Sequence, residues 1–183
     1  MLSRKQRFML MSSASGLTFW GIVGTLGPLA AAGSIIGVLP HFLKVVVLLM
    51  LQYRCSCMDV KGIMIAAPSS GTGKTTVSIG IMRALSDMGF KVQPFKVGPD
   101  YIDPGFHWLA SANKSYNIDT VMGNSRTARE IYFHNSAGKD ISVVEGVMGL
   151  FDGKAGNTIK GSSFDISLIL GIPLMDIDLD RYI

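Results

Sequence analysis

Acidic residues are missing from the first 57 positions of this 183-residue chain. That segment holds five of the 17 Lys and Arg but none of the 13 Asp and Glu, which leaves twelve basic against thirteen acidic residues in the remainder. The formal net charge of +4 therefore comes from the first segment. A nucleic-acid-binding domain needs a basic surface on its folded part. The charge distribution thus argues against nucleic acid as a partner.

Cysteine is scarce as well. Cys55 and Cys57 are the two cysteines of the sequence. Two thiols are too few for a disulfide framework, and a CxC pair alone does not complete a metal site. We therefore expect reduced thiols without a catalytic role.

Residues 8–43 contain no Lys, Arg, Asp or Glu. Within them, residues 19–39 would rise about 31 Å as a helix, enough to cross a bilayer core of about 30 Å. Three interpretations stay open for residues 1–57: a membrane anchor, an apolar extension buried on the protein, or non-native upstream sequence with Met58 as the natural start. We assign residues 58–183 to a single domain, since that length suits one core.

A glycine-rich turn is the most informative motif of that domain. The sequence APSSGTGKTT occupies residues 67–76, after the apolar residues 63–66 and before a helical pattern. In such a loop the backbone N–H groups turn onto phosphate oxygens, Lys74 adds a cation, and the Thr75 hydroxyl can ligate Mg²⁺. We predict nucleotide binding by the backbone and side chains of Ser70, Gly71, Thr72, Gly73, Lys74, Thr75 and Thr76.

The loop departs from the common P-loop pattern at one position. Six residues before Lys74, where GxxxxGKT expects glycine, the chain has Pro68. Partitioning-type regulatory ATPases carry a second lysine at the position of Ser69. A membrane-attached ATPase of that type remains an alternative from another class, as does an inactive membrane fragment without nucleotide affinity.

Short apolar runs alternate with helical patterns from residue 61 onward. This order predicts an α/β fold of the P-loop type, with a parallel sheet covered by helices. The predicted strands are residues 62–67, 91–96 and 141–145. Residues 172–175 are predicted to form the first part of a further strand. The predicted helices are residues 75–88, 125–134 and 163–170, with Ser125 as the cap of the second. Ligands bind at the carboxyl ends of such strands, where three glycine-rich loops follow.

A second motif follows the second predicted strand. The sequence FKVGPDYIDPGFH places Asp100 and Asp103 in a turn stiffened by prolines. Paired carboxylates in a rigid loop suit Mg²⁺, although an ordinary turn explains them equally well.

A third acidic residue, Glu145, closes the apolar strand in VVEGVMGLFDG. A charged residue at the end of a buried strand favours a functional role over a purely structural one. Glu145 can reach the metal or water of a bound nucleotide from this position. Asp152 in the same segment fits either a site or a plain turn.

These three motifs, in this order, resemble the amino-terminal part of the cobyrinic acid a,c-diamide synthases, relatives of dethiobiotin synthetase. The resemblance spans residues 60 to about 175. The nickel-sirohydrochlorin a,c-diamide synthases share the second motif and remain an alternative. The resemblance implies a ligase of cobalamin biosynthesis, in which ATP phosphorylates the a and c acetate carboxylates of the tetrapyrrole and ammonia from glutamine displaces the phosphate.

The resemblance also implies roles for matching positions. Lys74, Lys96, Asp100, Asp103 and Glu145 would be catalytic, with Thr75, Asp100 and Glu145 around Mg²⁺. Tyr101 and Asp103 would contact the substrate. His107 matches the motif too, but we interpret it as a packed loop residue. The implied setting is cytoplasmic, with a homodimer or attachment through residues 19–39 as open alternatives.

Two departures from the family bear on activity. The family carries a class I glutaminase region, and nothing in these 183 residues resembles it. The resemblance ends at residue 175. The sequence continues as DIDLDRYI, where the family pattern predicts an apolar strand. We interpret the sequence as the truncated or frame-shifted nucleotide-binding front of an amidoligase.

Overall fold

The computed structural model describes residues 60–154 and 158–177. The strands are β1 (Gly62–Ala66), β2 (Val92–Val97), β3 (Tyr116–Ile118), β4 (Ile141–Glu145) and β5 (Leu174–Asp176). The helices are α1 (Lys74–Asp87), α2 (Asp103–Ser111), α3 (Ser125–Ser136) and α4 (Ser163–Leu170).

All five strands are parallel, in the order β3-β2-β4-β1-β5. Parallel neighbours require crossover connections, and helices supply most of them here. The predicted α/β fold is therefore confirmed.

Helices cover the sheet on both faces. β1 and β4 are buried along their whole length. Helices α1 and α2 pack on each other and on β2, whereas α3 and α4 pack together against β3 and β1. Aromatic rings fill the second layer, where Tyr132 lies 5.1 Å from Phe95 and 5.2 Å from Phe133 between ring centroids. Burial on both sides explains the near-continuous apolar runs in the sequence.

Two elements were not predicted from the sequence. Residues of the Asp100 turn continue into α2, which begins at Asp103, and β3 follows it. The expectation that His107 lies in a loop is therefore wrong, since His107 is on α2. Pro104 occupies the first turn of this helix. A backbone N–H at that position has no partner within the helix, so proline, which lacks the N–H, costs no hydrogen bond there.

One predicted helix cap also needs correction. Ser125 is the first residue of α3, and the cap is Asn124, whose side chain accepts a hydrogen bond from the Thr127 N–H at 2.9 Å. Asparagine is as good a cap as serine, which is why the pattern was ambiguous.

The interpretations of residues 1–57 lie outside the described residues, as do Asp178 and Asp180. Among residues 60–154 and 158–177, no helix has the length and apolar character needed to cross a bilayer.

Candidate functional site

The turn between β1 and α1 forms a loop that is closed by its own side chains. The carbonyl oxygen of Ser69 accepts hydrogen bonds from the Lys74 ammonium at 2.7 Å and from the Thr72 hydroxyl at 3.0 Å. Gly71 and Gly73 have φ values of 82° and 89°, a left-handed conformation that favours glycine. The loop therefore leads directly into the amino terminus of α1, which attracts anions.

Lys74 is buried although it carries a charge. Burial is the main reason why its pKa is lowered, and repulsion by Lys96 adds to the effect. Attraction to Glu145, Asp152 and Asp176 acts in the opposite direction. An anion bound between Lys74 and Lys96 would therefore be attracted by both ammonium groups and would reduce their mutual repulsion.

Lys96 and Glu145 meet because β2 and β4 are neighbouring parallel strands. The two residues are register partners near the carboxyl ends of their strands. The Lys96 ammonium lies 2.9 Å from the Glu145 carboxylate and 2.6 Å from that of Asp103. Burial alone would lower the pKa of Lys96, but attraction to Glu145 and hydrogen bonds to both acids raise it. Lys96 therefore carries a fixed positive charge at the sheet edge.

Glu145 is the most connected acid in the cleft. Its Oε1 accepts hydrogen bonds from the Thr75 hydroxyl at 2.5 Å and from Lys96, while its Oε2 lies 2.7 Å from His107 Nε2. Burial would raise the pKa of Glu145, yet the bonds from His107 and Thr75 and the charge of Lys96 lower it from 4.5 to about 2. A fully buried carboxylate thus stays ionised because three donors, the Thr75 hydroxyl, the Lys96 ammonium and the His107 ring, surround it.

Asp100 and Asp103 take different positions. Asp100 Oδ1 accepts hydrogen bonds from the backbone N–H groups of Ile102 and Asp103, at 2.8 and 3.2 Å. Burial would raise the pKa of Asp100, but these backbone bonds and Lys96 lower it. Its Oδ2 is 4.0 Å from the Lys96 ammonium, whereas Asp103 contacts that ammonium directly. Asp100 therefore holds the turn, and Asp103 is the one of the two acids that pairs directly with Lys96.

The glycine-rich turn of residues 67–76, here called the phosphate loop, shares one cleft with the acidic residues, and the cleft has a volume of about 440 Å³. Its lining includes nearly all of the residues that the sequence predicted: Ser70, Gly71, Gly73, Lys74, Thr75, Thr76, Lys96, Asp100, Asp103 and Glu145. Thr72 is buried within the loop, and Tyr101 stands outside the lining, 89% exposed. The structure therefore brings together the loop and all three acids.

The loop after β4 rests on the phosphate loop. The Leu150 N–H donates to the Ala67 carbonyl at 2.7 Å, and a Cβ added to Gly149 would lie 2.6 Å from the Pro68 carbonyl oxygen. Asp152 accepts a hydrogen bond from the Gly149 N–H at 2.8 Å. Asp152 thus stabilises this contact, and Pro68 is where the two loops meet.

The donor set of the cleft suits a hard cation. The Thr75 hydroxyl lies 2.5 Å from Glu145 and 3.5 Å from Asp103, so three oxygen donors converge. Mg²⁺ takes one or two carboxylates together with phosphate oxygens. No group of three or more His, Cys, Asp and Glu side chains forms a metal cage within residues 60–154 and 158–177. The residues fit a cation that is bound jointly with a nucleotide.

Sequence reasoning missed the buried partners of Glu145. His107 is fully buried, and its Nδ1 lies 3.0 Å from the Ser115 hydroxyl. Glu145 and His107 are separated by 38 residues. A helical pattern over residues 103–111 would have placed His107 facing the sheet, but the proline and glycine of that segment indicated a turn instead.

The fold and the cleft together define a P-loop-type nucleotide-binding domain. The family model described as CobQ/CobB/MinD/ParA nucleotide binding domain matches residues 63–178. That range is more than half of the chain, and the chain belongs to this family.

Comparison with individual relatives is more specific than the family model. A cobyrinate a,c-diamide synthase of Picrophilus torridus is 52% identical over 118 residues, which is 64% of this chain and 27% of the relative. A hydrogenobyrinate a,c-diamide synthase of Mycobacterium tuberculosis is 45% identical over 122 residues, with the same two coverages of 64% and 27%. A cobyrinate a,c-diamide synthase of Archaeoglobus fulgidus is 44% identical over 118 residues, or 64% of this chain and 26% of the relative. The resemblance found in the sequence is confirmed, and the chain spans about a quarter of these relatives' length.

Proposed function

We propose that this chain is the ATP-binding part of an amidoligase that converts the a and c acetate side chains of cobyrinic acid to amides. The reaction consumes ATP, a carboxylate and ammonia, and it yields an amide, ADP and phosphate through an acyl phosphate. The observation that carries the proposal is the single cleft in which the phosphate loop meets Lys96, Asp103 and Glu145.

The residues of the cleft suit phosphoryl transfer to a carboxylate. A carboxylate becomes a good electrophile once one of its oxygens leaves as phosphate, and the charge that develops on the phosphoryl oxygens needs positioned donors. Lys74 and the loop N–H groups would hold the β- and γ-phosphates. Lys96 would add positive charge beside the transferred group, and the neighbouring acids keep it protonated.

Mg²⁺ bound in this cleft would neutralise part of the negative charge of the phosphates. Its protein donors would be the Thr75 hydroxyl and Glu145, as predicted from the sequence, with Asp103 within 3.5 Å of Thr75. The predicted ligand Asp100 is held by backbone bonds. Its Oδ2 lies 4.0 Å from the Lys96 ammonium, compared with 2.6 Å for Asp103. We therefore favour Asp103 over Asp100 as the second carboxylate.

The remaining assignments are part of the same proposal, and the relatives' names support one of them. Their names support a tetrapyrrole dicarboxylate as the substrate class, and Tyr101, exposed beside the cleft, is our candidate contact for it together with Asp103. We propose that ammonia comes from a glutaminase partner or domain, that the setting is the cytoplasm, and that residues 58–183 form the functional domain.

Nucleotide binding by the full chain tests the proposal most directly. We expect a fluorescent ATP analogue to bind in the presence of Mg²⁺, and Lys74→Ala to weaken that binding about tenfold or more because a charged phosphate contact is lost. Arg83→Ala is the matched control. It removes a cation from the same helix, but Arg83 pairs with Asp87 at the surface.

Turnover separates the proposed ligase from a regulatory ATPase. With cobyrinic acid and an ammonium salt, ADP formation should depend on both compounds, and mass spectrometry should detect the amide. ADP formation that is independent of the carboxylate substrate would favour the regulatory ATPase. Absence of nucleotide binding, or binding that Lys74→Ala leaves unchanged, would contradict the ATP site itself.

A further inference from the structure

Glu145 uses its two carboxylate oxygens for different purposes. Oε1 faces the cleft and accepts from Thr75 and Lys96. Oε2 faces the interior, where His107 Nε2 lies 2.7 Å away. The orientation of the carboxylate plane therefore depends on contacts at both ends.

The interior contact has a defined polarity. Glu145 is ionised and can only accept hydrogen bonds, so His107 Nε2 must carry a proton and donate it. The other ring nitrogen faces the Ser115 hydroxyl at 3.0 Å. Ser115 comes just before β3, so the imidazole on α2 is fixed between two strand segments. Both His107 and Ser115 are buried, which prevents water from replacing either contact.

We propose that His107 is a positioning residue that turns Glu145 Oε1 toward Thr75 and Lys96, with Ser115 as its anchor. This inference rests on the proposed function. His107 does not line the cleft and would not touch the nucleotide. It acts through Glu145 by holding Oε2, since a carboxylate released at Oε2 can rotate and give both oxygens to Lys96.

Substitutions at residue 107 test this role in the full chain. His107→Leu removes the donor, whereas His107→Gln places an amide N–H near the position of Nε2. We expect His107→Leu to keep the metal-free affinity for ATP within about twofold and to lose about tenfold of the gain in affinity that Mg²⁺ provides, a typical effect of removing an outer-shell partner. His107→Gln should recover most of that gain, which a merely structural role does not predict.

His134→Leu is the matched control, since it makes the same change at an exposed position on α3. It should leave both affinities unchanged. Ser115→Ala provides a milder test that leaves Glu145 and His107 in place, and we expect a smaller loss of the Mg²⁺-dependent gain.

A measurement on the unmodified chain keeps the inference testable if His107→Leu does not fold. Nitrogen-15 NMR should show His107 protonated at Nε2, and a ring protonated at Nδ1 alone would overturn the proposal. Equal Mg²⁺-dependent gains in the folded His107 variants and the unmodified chain would also overturn it. In that case nucleotide binding lost in Lys74→Ala still supports the proposed function, so the two failures differ. If the unmodified chain binds no nucleotide, both proposals are wrong.

Discussion

At the scale of single residues, the stability of the cleft depends on keeping Glu145 ionised. Its pKa is lowered from 4.5 to about 2, so the ionised form stabilises the folded chain above pH 4.5. That contribution is lost as the pH falls from 4.5 toward 2, where the folded protein also takes up the proton. A pKa shift of this size contributes about 3 kcal/mol to the free energy of unfolding at neutral pH.

Glu145→Gln should reveal this contribution. The variant keeps the size of the side chain but lacks the charge that pairs with Lys96. We expect the difference in the free energy of unfolding between the unmodified chain and Glu145→Gln to be largest near neutral pH. The difference should shrink between pH 4.5 and 2, as measured by urea denaturation across that range.

Glu130→Gln serves as the control for this experiment. Glu130 pairs with Arg126 on α3, where both side chains are largely exposed. Exposed pairs contribute about 0–1 kcal/mol, so its difference from the unmodified chain should stay small at every pH. Parallel pH curves for Glu145→Gln and Glu130→Gln would show that Glu145 has no special electrostatic role.

At the scale of elements, the contact between the two glycine-rich loops shapes the cleft. Gly149→Ala would place a Cβ 2.5 Å from Asp152 Oδ2 and 2.6 Å from the Pro68 carbonyl oxygen. The backbone must shift to admit it, which we expect to destabilise the chain by about 1–3 kcal/mol. Because Pro68 leads into the phosphate loop, affinity for the ATP analogue should fall as well.

Gly80→Ala is the contrasting substitution. Gly80 lies on α1, where an added Cβ would meet no atom within 4 Å, and it does not line the cleft. Alanine is the better helix former, so this variant should gain about 0.5–1 kcal/mol and bind the analogue normally. Thermal and urea unfolding compare the two variants, and similar effects of both would contradict a role for the loop contact.

The elements also show what the sequence could predict. Helix α4 (Ser163–Leu170) and strand β4 (Ile141–Glu145) have the predicted bounds, since a serine cap, a terminal glycine and a continuous apolar run are local signals. Helix α2 was missed because Pro104 and Gly105 indicate a turn unless the proline is recognised as a first-turn residue. The phosphate loop and its acids were found from local motifs. The His107 contact was not, because it depends on tertiary packing between α2 and β4.

At the scale of the whole molecule, the order of the strands gathers exposed apolar side chains near the cleft. Tyr101 and Ile102 follow β2, Met122 follows β3, and Met148 follows β4. These three strands are neighbours in a parallel sheet, so their following loops lie at one edge. Scattered exposed apolar residues are ordinary, but several around one polar cleft favour a large, partly apolar ligand.

Substitutions at this edge should separate the proposed tetrapyrrole binding from the proposed nucleotide binding. Met148 lines the cleft and is 58% exposed, so a macrocycle seated there would cover it. We expect Met148→Ala to weaken binding of cobyrinic acid on the order of tenfold, as loss of a buried apolar contact implies, and to leave ATP affinity within about twofold. Tyr101→Ala should act in the same direction. Met88→Ala is the control, because Met88 is also exposed but follows the carboxyl end of α1, away from the cleft. Equilibrium dialysis with cobyrinic acid measures the affinities, and equal weakening by Met88→Ala and Met148→Ala would place the macrocycle elsewhere.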